Sequence, residues 1–216
     1  MELHNEFHWI EDLLKHICFP CHALLVASSP DDIKKTRHYA QKIVDVMNKH
    51  NLCLSRFDVL DRTSTKSTKE LIEKADIIIA MGGHVPTQNA FFQEIDLKKY
   101  LQEFRGIWIG SSAGSMNSAT LVYAQPELEG EVIDPAYQRF VPGLGLTDKM
   151  ILPHYSSWKN EVVDGFRLLE DITYPDSQGH TFYLMEDGSY VLGDIEEKIE
   201  EVMGKYYVLR DGVIVQ

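Results

Sequence analysis

Arg105-Gly106-Ile107-Trp108-Ile109-Gly110-Ser111-Ser112-Ala113-Gly114 is the stretch from which the fold can be read. An apolar run ends in Gly-x-Ser-x-Gly, the sequence form of a nucleophile elbow. In that arrangement a buried strand turns at once into a helix and holds a serine on the bend, its hydroxyl proud of the sheet. Glycines flank Ser112 because a side chain at Gly110 or Gly114 would collide with the neighbouring strand or helix across so sharp a turn. The N–H of Ala113 falls in the first turn of the following helix, where an unpaired donor can face a developing oxyanion. The same pentapeptide also suits a Gly/Ser-rich loop without chemistry, so the rest of the chain has to choose between the two.

Outward from the elbow, short apolar runs alternate with longer amphipathic ones, the pattern of a mostly parallel sheet sandwiched by helices. Strands are expected at His22–Ser29, Leu52–Leu60, Asp76–Met81 and Gly106–Ile109. Helices are expected from Pro30-Asp31-Asp32 to about Lys49, over Ser67–Lys74 with Ser67 as a cap, and over Pro86–Phe104. The strand ends would share one edge, where ligands bind in open parallel sheets, and there Gly82-Gly83-His84 would lie beside Ser112. In the second half a polar, acidic stretch runs from Gln125 to Asp134 and a Pro/Gly loop continues through Gly145. Met150-Ile151-Leu152-Pro153-His154 reads as a strand and its exit, Asn160–Asp171 as a helix, and Thr181–Met185, Tyr190–Leu192 and Lys205–Val215 as closing strands.

Length favours one domain over residues 1–216, and 44% hydrophobic with 25% charged residues is ordinary for a globular protein. A formal net charge of −12 argues against nucleic acid or an anionic membrane as partner, because phosphates would be repelled. A small molecule or short peptide suits this surface better. Three cysteines, Cys18, Cys21 and Cys53, make no disulfide framework and fit a cytoplasmic protein. Cys18-Phe19-Pro20-Cys21 has the spacing of a redox or zinc pair, but no second pair follows, so it reads as incidental. The opening Met1-Glu2-Leu3-His4-Asn5-Glu6 lacks the basic and apolar regions of a signal peptide, and no run reaches membrane-spanning length.

A serine nucleophile needs a base, and after Ser112 the chain offers only His154 and His180. His154 leaves an apolar strand and can reach the catalytic edge, whereas His180 sits in a polar turn before a strand. An acid must then hold the imidazole. Glu186 fits best, at the end of Phe182-Tyr183-Leu184-Met185, with Asp187 as its near rival, although Asp-Gly is also ordinary turn chemistry. Asp134, Glu127, Glu129 and Glu131 are more distant candidates. The N–H of Gly83 could join that of Ala113 around a tetrahedral intermediate. A phosphate-binding loop is not expected, since neither a dinucleotide fingerprint nor a Walker lysine occurs.

Taken in order, Gly82-Gly83, Gly110-Ser111-Ser112-Ala113-Gly114, Pro153-His154 and Leu184-Met185-Glu186 resemble the serine peptidase family of dipeptidase E and cyanophycinase, over roughly Ala23 to Val191. The resemblance implies an α/β fold of the class I glutamine amidotransferase type: a three-layer α/β/α sandwich with a mostly parallel sheet. It also implies a Ser-His-Glu triad of Ser112, His154 and Glu186, oxyanion donors at Gly83 and Ala113, and no cofactor or metal. Glu127 falls near an acidic position considered for that family's active site. Two departures stand out. Met81 and His84 flank Gly82-Gly83 where the dipeptidases have a third glycine and an asparagine. Lys159 is the cation after His154 where the aspartyl dipeptidases carry an arginine, and a lysine lacks the bidentate fork that grips an aspartate. His84 and Lys159, with Glu127, are therefore the substrate-binding candidates.

Two other readings remain. An α/β-hydrolase esterase would order its triad Ser, acid, His, making His180 the base with Asp164, Asp171 or Asp176 as acid. A catalytically silent binding protein would keep the pocket without the chemistry.

Overall fold

The computed structural model describes residues 4–194 and 199–216, and the chain gathers into two compact units, Met1–Asn117 and Ser118–Gln216. The first unit runs α1 (Trp9–His16), β1 (Cys21–Val26), α2 (Ile33–Lys49), β2 (Leu54–Leu60), α3 (Thr68–Lys74), β3 (Ile77–Ala80), α4 (Val85–Glu94), α5 (Leu97–Leu101), β4 (Ile107–Gly110) and α6 (Ala113–Met116). Its strands are all parallel in the order β2-β1-β3-β4. Every residue of β1 and β3 is buried, as strands covered on both faces require. One face, with Ala23, Leu25, Ile77 and Ile79, packs on Ile10 and Leu13 of α1 and Ala40 and Met47 of α2. On the other, Phe92 of α4 meets Trp108 edge-on at 6.2 Å. That is the expected α/β/α layering.

Local chemistry sets the boundaries. The Asp32 side chain accepts from the Lys35 N–H and starts α2, so the helix begins after Pro30-Asp31-Asp32 rather than with it. Ser67 precedes α3 but makes no side-chain cap, contrary to expectation. The single helix expected over Pro86–Phe104 is broken in two, because Asp96 takes a left-handed conformation (φ 54°) between α4 and α5. Cys18 and Cys53 are exposed and Cys21 is buried, all three as free thiols. Burial, helped by the Asp76 carboxylate, pushes the Cys21 thiol up to about 11, which suits a core residue and not a nucleophile. Among the described residues no helix is long and apolar enough to cross a membrane.

The second unit contains β5 (Leu121–Tyr123), β6 (Phe140–Pro142), β7 (Met150–Leu152), α7 (Tyr155–Trp158), β8 (Val162–Val163), β9 (Phe166–Arg167), α8 (Tyr174–Asp176), β10 (Thr181–Met185), β11 (Tyr190–Asp194), β12 (Ile199–Met203), β13 (Tyr206–Arg210) and β14 (Val213–Ile214). A four-stranded sheet runs β14-β13-β10-β7, parallel between β10 and β7 and antiparallel elsewhere. The helix expected over Asn160–Asp171 is instead the β8–β9 hairpin followed by a wide helical turn. Asp164 and Gly165 (φ 53° and 84°) form its two-residue loop, the left-handed pair that joins twisted antiparallel strands. Asp211 and Gly212 (φ 51° and 77°) likewise divide the strand expected over Lys205–Val215 into β13 and β14.

Ile78, fully buried at the centre of the parallel sheet, offers a direct check on this core. Ile78→Ala should lower stability by about 2–5 kcal/mol, read as a lower urea midpoint.

Candidate active site

Parallel pairing brings the Gly82-Gly83 turn and the elbow together. Ala80 of β3 is in register with Gly110 of β4, so two residues beyond each strand Gly82 arrives beside Ser112. A β-carbon on Gly82 would lie 3.0 Å from that of Ser112 and 3.6 Å from its hydroxyl oxygen. The elbow forms as the pentapeptide requires. A β-carbon on Gly114 would stand 2.4 Å from the Ala80 carbonyl oxygen, and one on Gly110 would stand 2.7 Å from that of Gly114. Helix therefore follows strand with no room for a methyl group.

Ser112 itself adopts φ 51° and ψ −115°, outside the regions ordinary residues occupy, at a cost of about 1–3 kcal/mol. Hydrogen bonds hold it there. Ser111 N–H donates to the Ala80 carbonyl (3.0 Å), while the Ser112 carbonyl accepts from Ser115 N–H (2.9 Å), Met116 N–H (3.1 Å) and the Ser115 hydroxyl (2.6 Å).

The Gly82-Gly83 turn is held by side chains that the sequence did not single out. Buried Ser28 donates to the Gly82 carbonyl (2.7 Å), and a β-carbon on Gly83 would lie 2.4 Å from the Ser28 hydroxyl oxygen. Gln88, fully buried, donates to the Met81 carbonyl (2.7 Å). Asn117, also fully buried, donates to Gln88 Oε1 (3.1 Å) and the Val85 carbonyl (3.2 Å), and accepts from Asn89 (2.9 Å). This chain of amides ties the end of α6 to the first turn of α4. Its sequence signal is confined to the amide side chains of Gln88, Asn89 and Asn117 themselves. Among the described residues, the N–H groups of Gly83 and Ala113 donate to no acceptor. His84 precedes α4 with its Nδ1 hydrogen-bonded to Thr87 Oγ1 (2.7 Å).

In the second unit, parallel pairing likewise aligns two strand ends. Leu152 of β7 is in register with Leu184 of β10, which brings His154 level with Glu186 two residues on. His154, in a left-handed conformation (φ 60°, ψ 32°), precedes α7. Its Nδ1 meets Asp187, not the expected Glu186, with Nδ1 donating to Asp187 Oδ1 at 2.5 Å. An ionised carboxylate only accepts, so Nδ1 is the donor in this bond. Both side chains are about half exposed (49% each), so the pair adds little stability and serves orientation. Glu186 turns to α7, where its carboxylate accepts from Ser156 N–H (3.2 Å) and the Ser156 hydroxyl (2.7 Å). Tyr155 is buried against Tyr207 and Trp158. Burial, followed by Tyr174, Tyr207 and Glu186, raises its phenol above the usual range. Lys159 lays its ammonium 5.4 Å from the Tyr155 ring centroid.

The other candidates have different work. Glu131 accepts from Glu127 N–H (2.8 Å) and Leu128 N–H (2.9 Å), folding the acidic loop on itself. His180 stacks on Phe140 at 4.5 Å and has no carboxylate partner among the described residues. Asp164 accepts from Gly130 and Val132 N–H. Asp176 accepts from Arg139 and Tyr123. Hydrogen bonding to Arg167 pulls Asp171 down to about 2. The acids an esterase triad would need are thus engaged elsewhere.

A strained serine between two sterically obligatory glycines, at the end of a parallel strand, defines the class as an α/β serine hydrolase. The family model of peptidase family S51 matches residues 9–199, and the chain belongs to that family of serine-type peptidases. A crystal structure of a Listeria monocytogenes EGD-e protein assigned as a peptidase E is similar in fold, with TM-score 0.52 and 17% identity, covering 68% of this chain and 74% of that one. The family read from the motifs is therefore correct, and so is the glutamine amidotransferase-like α/β fold it implies. No curated protein matches the chain in sequence.

The packing at Gly114 and Asn117 can be tested separately. Gly114→Ala must displace the elbow from Ala80 and should lower turnover roughly 100-fold, as ångström-scale misplacement does, measured as kcat on any peptide cleaved by the wild type. Asn117→Ala leaves buried partners unpaired and should cost about 1–3 kcal/mol, read from denaturant unfolding.

Proposed function

We propose that this chain hydrolyses peptide bonds of short peptides, with Ser112 as nucleophile, His154 as general base and a carboxylate at the end of β10 holding the imidazole. The observation that carries the reading is the backbone of Ser112, kept at φ 51° and ψ −115° by contacts that serve no other evident end. Strain of this kind persists where a side chain has to be presented in one direction.

In this mechanism His154 Nε2 takes the Ser112 proton as the hydroxyl oxygen attacks the scissile carbonyl. The tetrahedral oxyanion is met by the N–H groups of Gly83 and Ala113, and His154 returns the proton to the leaving amine. Water then repeats the sequence on the acyl-enzyme. The bond from His154 Nδ1 to Asp187 favours Asp187 as the group that fixes the tautomer, in place of Glu186. His84, next to Gly83, and Lys159, on the turn after His154, are assigned to the peptide's polar ends. Glu127 is left out of the machinery because its loop closes on Glu131. The two units act as one peptidase domain, and the net charge of −12 keeps polyanions away from it.

Ser112→Ala should abolish cleavage of a dipeptide library followed by mass spectrometry, together with covalent labelling by a serine-directed phosphonate. His154→Ala should lower kcat by about 10⁴-fold or more. Wild-type turnover in a folded Ser112→Ala variant would end the proposal.

A further inference from the structure

We infer that Ser28 is a positioning residue for the oxyanion donor Gly83: by donating to the Gly82 carbonyl it fixes the peptide unit whose other end is the Gly83 N–H. The inference rests on the proposed roles of Ser112 and Gly83 and concerns what aims that N–H.

Register places Ser28 where it can act. Val26 of β1 pairs with Ala80 of β3, and Ala80 with Gly110 of β4, so two residues beyond these positions Ser28, Gly82 and Ser112 stand in one row. Ser28 is buried, 3% exposed, and its hydroxyl donates to the Gly82 carbonyl at 2.7 Å. Among the described residues no other donor reaches that carbonyl, and the hydroxyl has no other partner. Across the row, a β-carbon on Gly82 would lie 3.0 Å from that of Ser112.

A trans peptide unit is planar, and its carbonyl and N–H point in opposite directions. Holding the Gly82 carbonyl therefore sets the direction of the Gly83 N–H. The hold is needed because this unit is the freest kind to rotate: the two torsions that turn it, ψ of Gly82 and φ of Gly83, both belong to glycines. Neither glycine can be exchanged for a stiffer residue without disturbance, since a β-carbon on Gly83 would stand 2.4 Å from the Ser28 hydroxyl oxygen and one on Gly82 would crowd Ser112. The turn thus sets a rotatable donor beside the nucleophile, and one buried hydroxyl locks it. Without the lock the unit can turn, taking the N–H off the oxyanion and presenting a carbonyl in its place, which repels negative charge. Gln88 grips the Met81 carbonyl at 2.7 Å, but that unit carries the Gly82 N–H and leaves the next one free.

The test uses the full-length protein with Ser28→Ala and with Ser28→Cys, whose thiol is a weaker donor, each checked by thermal melting. Steady-state kinetics on a cleaved peptide are compared with the affinity for a peptide boronate, which forms a tetrahedral adduct with the nucleophile and places an oxygen where the oxyanion develops. Ser28→Ala should lower kcat about 10- to 100-fold with KM within about twofold of wild type, a smaller loss than removal of an oxyanion donor outright. Boronate affinity should fall by the same factor as kcat/KM, because only the tetrahedral state calls on the Gly83 N–H. Ser28→Cys should lie between Ser28→Ala and the wild type, and it carries the same comparison where Ser28→Ala does not fold. A Ser28 that serves packing alone would lower the melting temperature and leave kcat and boronate affinity of the folded variants at wild-type values; that result would overturn the inference. So would a loss that resides entirely in KM, since substrate binding and not the oxyanion would then depend on Ser28. Failure of the underlying mechanism looks different: Ser112→Ala would keep its activity.

Discussion

The Ala80 carbonyl oxygen lies 2.4 Å from where a β-carbon on Gly114 would be, and the elbow at Ser112 depends on that exclusion. With no side chain at Gly110 or Gly114, the α6 backbone can touch the ends of β3 and β4. The chain then has to reverse within two residues, and the torsions left to Ser112 are strained ones. Parallel register does the rest, since pairing of Ala80 with Gly110 brings Gly82 alongside Ser112. The strain is sustained from below by buried amides, Gln88 and Asn117, which hold the glycine turn and α6 to each other. Such a network has to be fully satisfied, because an unpaired amide in a dry core costs more than the bond it replaces.

The surroundings of His154 follow another logic. Its carboxylate pair is partly exposed, so solvent screens it and the energy of the ion pair is small. What the pair supplies is direction: Nδ1 is committed to Asp187, and Ser156 on the same turn is bonded to a second carboxylate one residue away. The two neighbouring acids, just beyond the end of β10, thus make different contacts with one turn.

Much of the parallel half of the fold was legible in the sequence because its signals are local and strong. Buried runs such as Ile77–Ala80 are uninterrupted apolar stretches between turns, and Gly-x-Ser-x-Gly leaves few backbone solutions. The second half was harder. Asn160–Asp171 has helix-like spacing, yet Asp164-Gly165 supplies a hairpin loop, and the pair outweighs the spacing because both residues accept positive φ. Asp96 broke a long helical pattern in the same way. Glu186 follows β10 level with His154 in the register, yet the imidazole Nδ1 bonds the next residue, Asp187.

By itself, then, the sequence determined the elbow, the alternation of strands and helices, the family and the short list of chemistry-bearing residues, since each depends on residue type and on neighbours a few positions away. Tertiary structure alone decided which carboxylate meets the imidazole, which amides support the glycine turn, and that Glu186 reaches Ser156. Those choices depend on side-chain direction and on register between strands far apart in the chain, and no local pattern encodes either one.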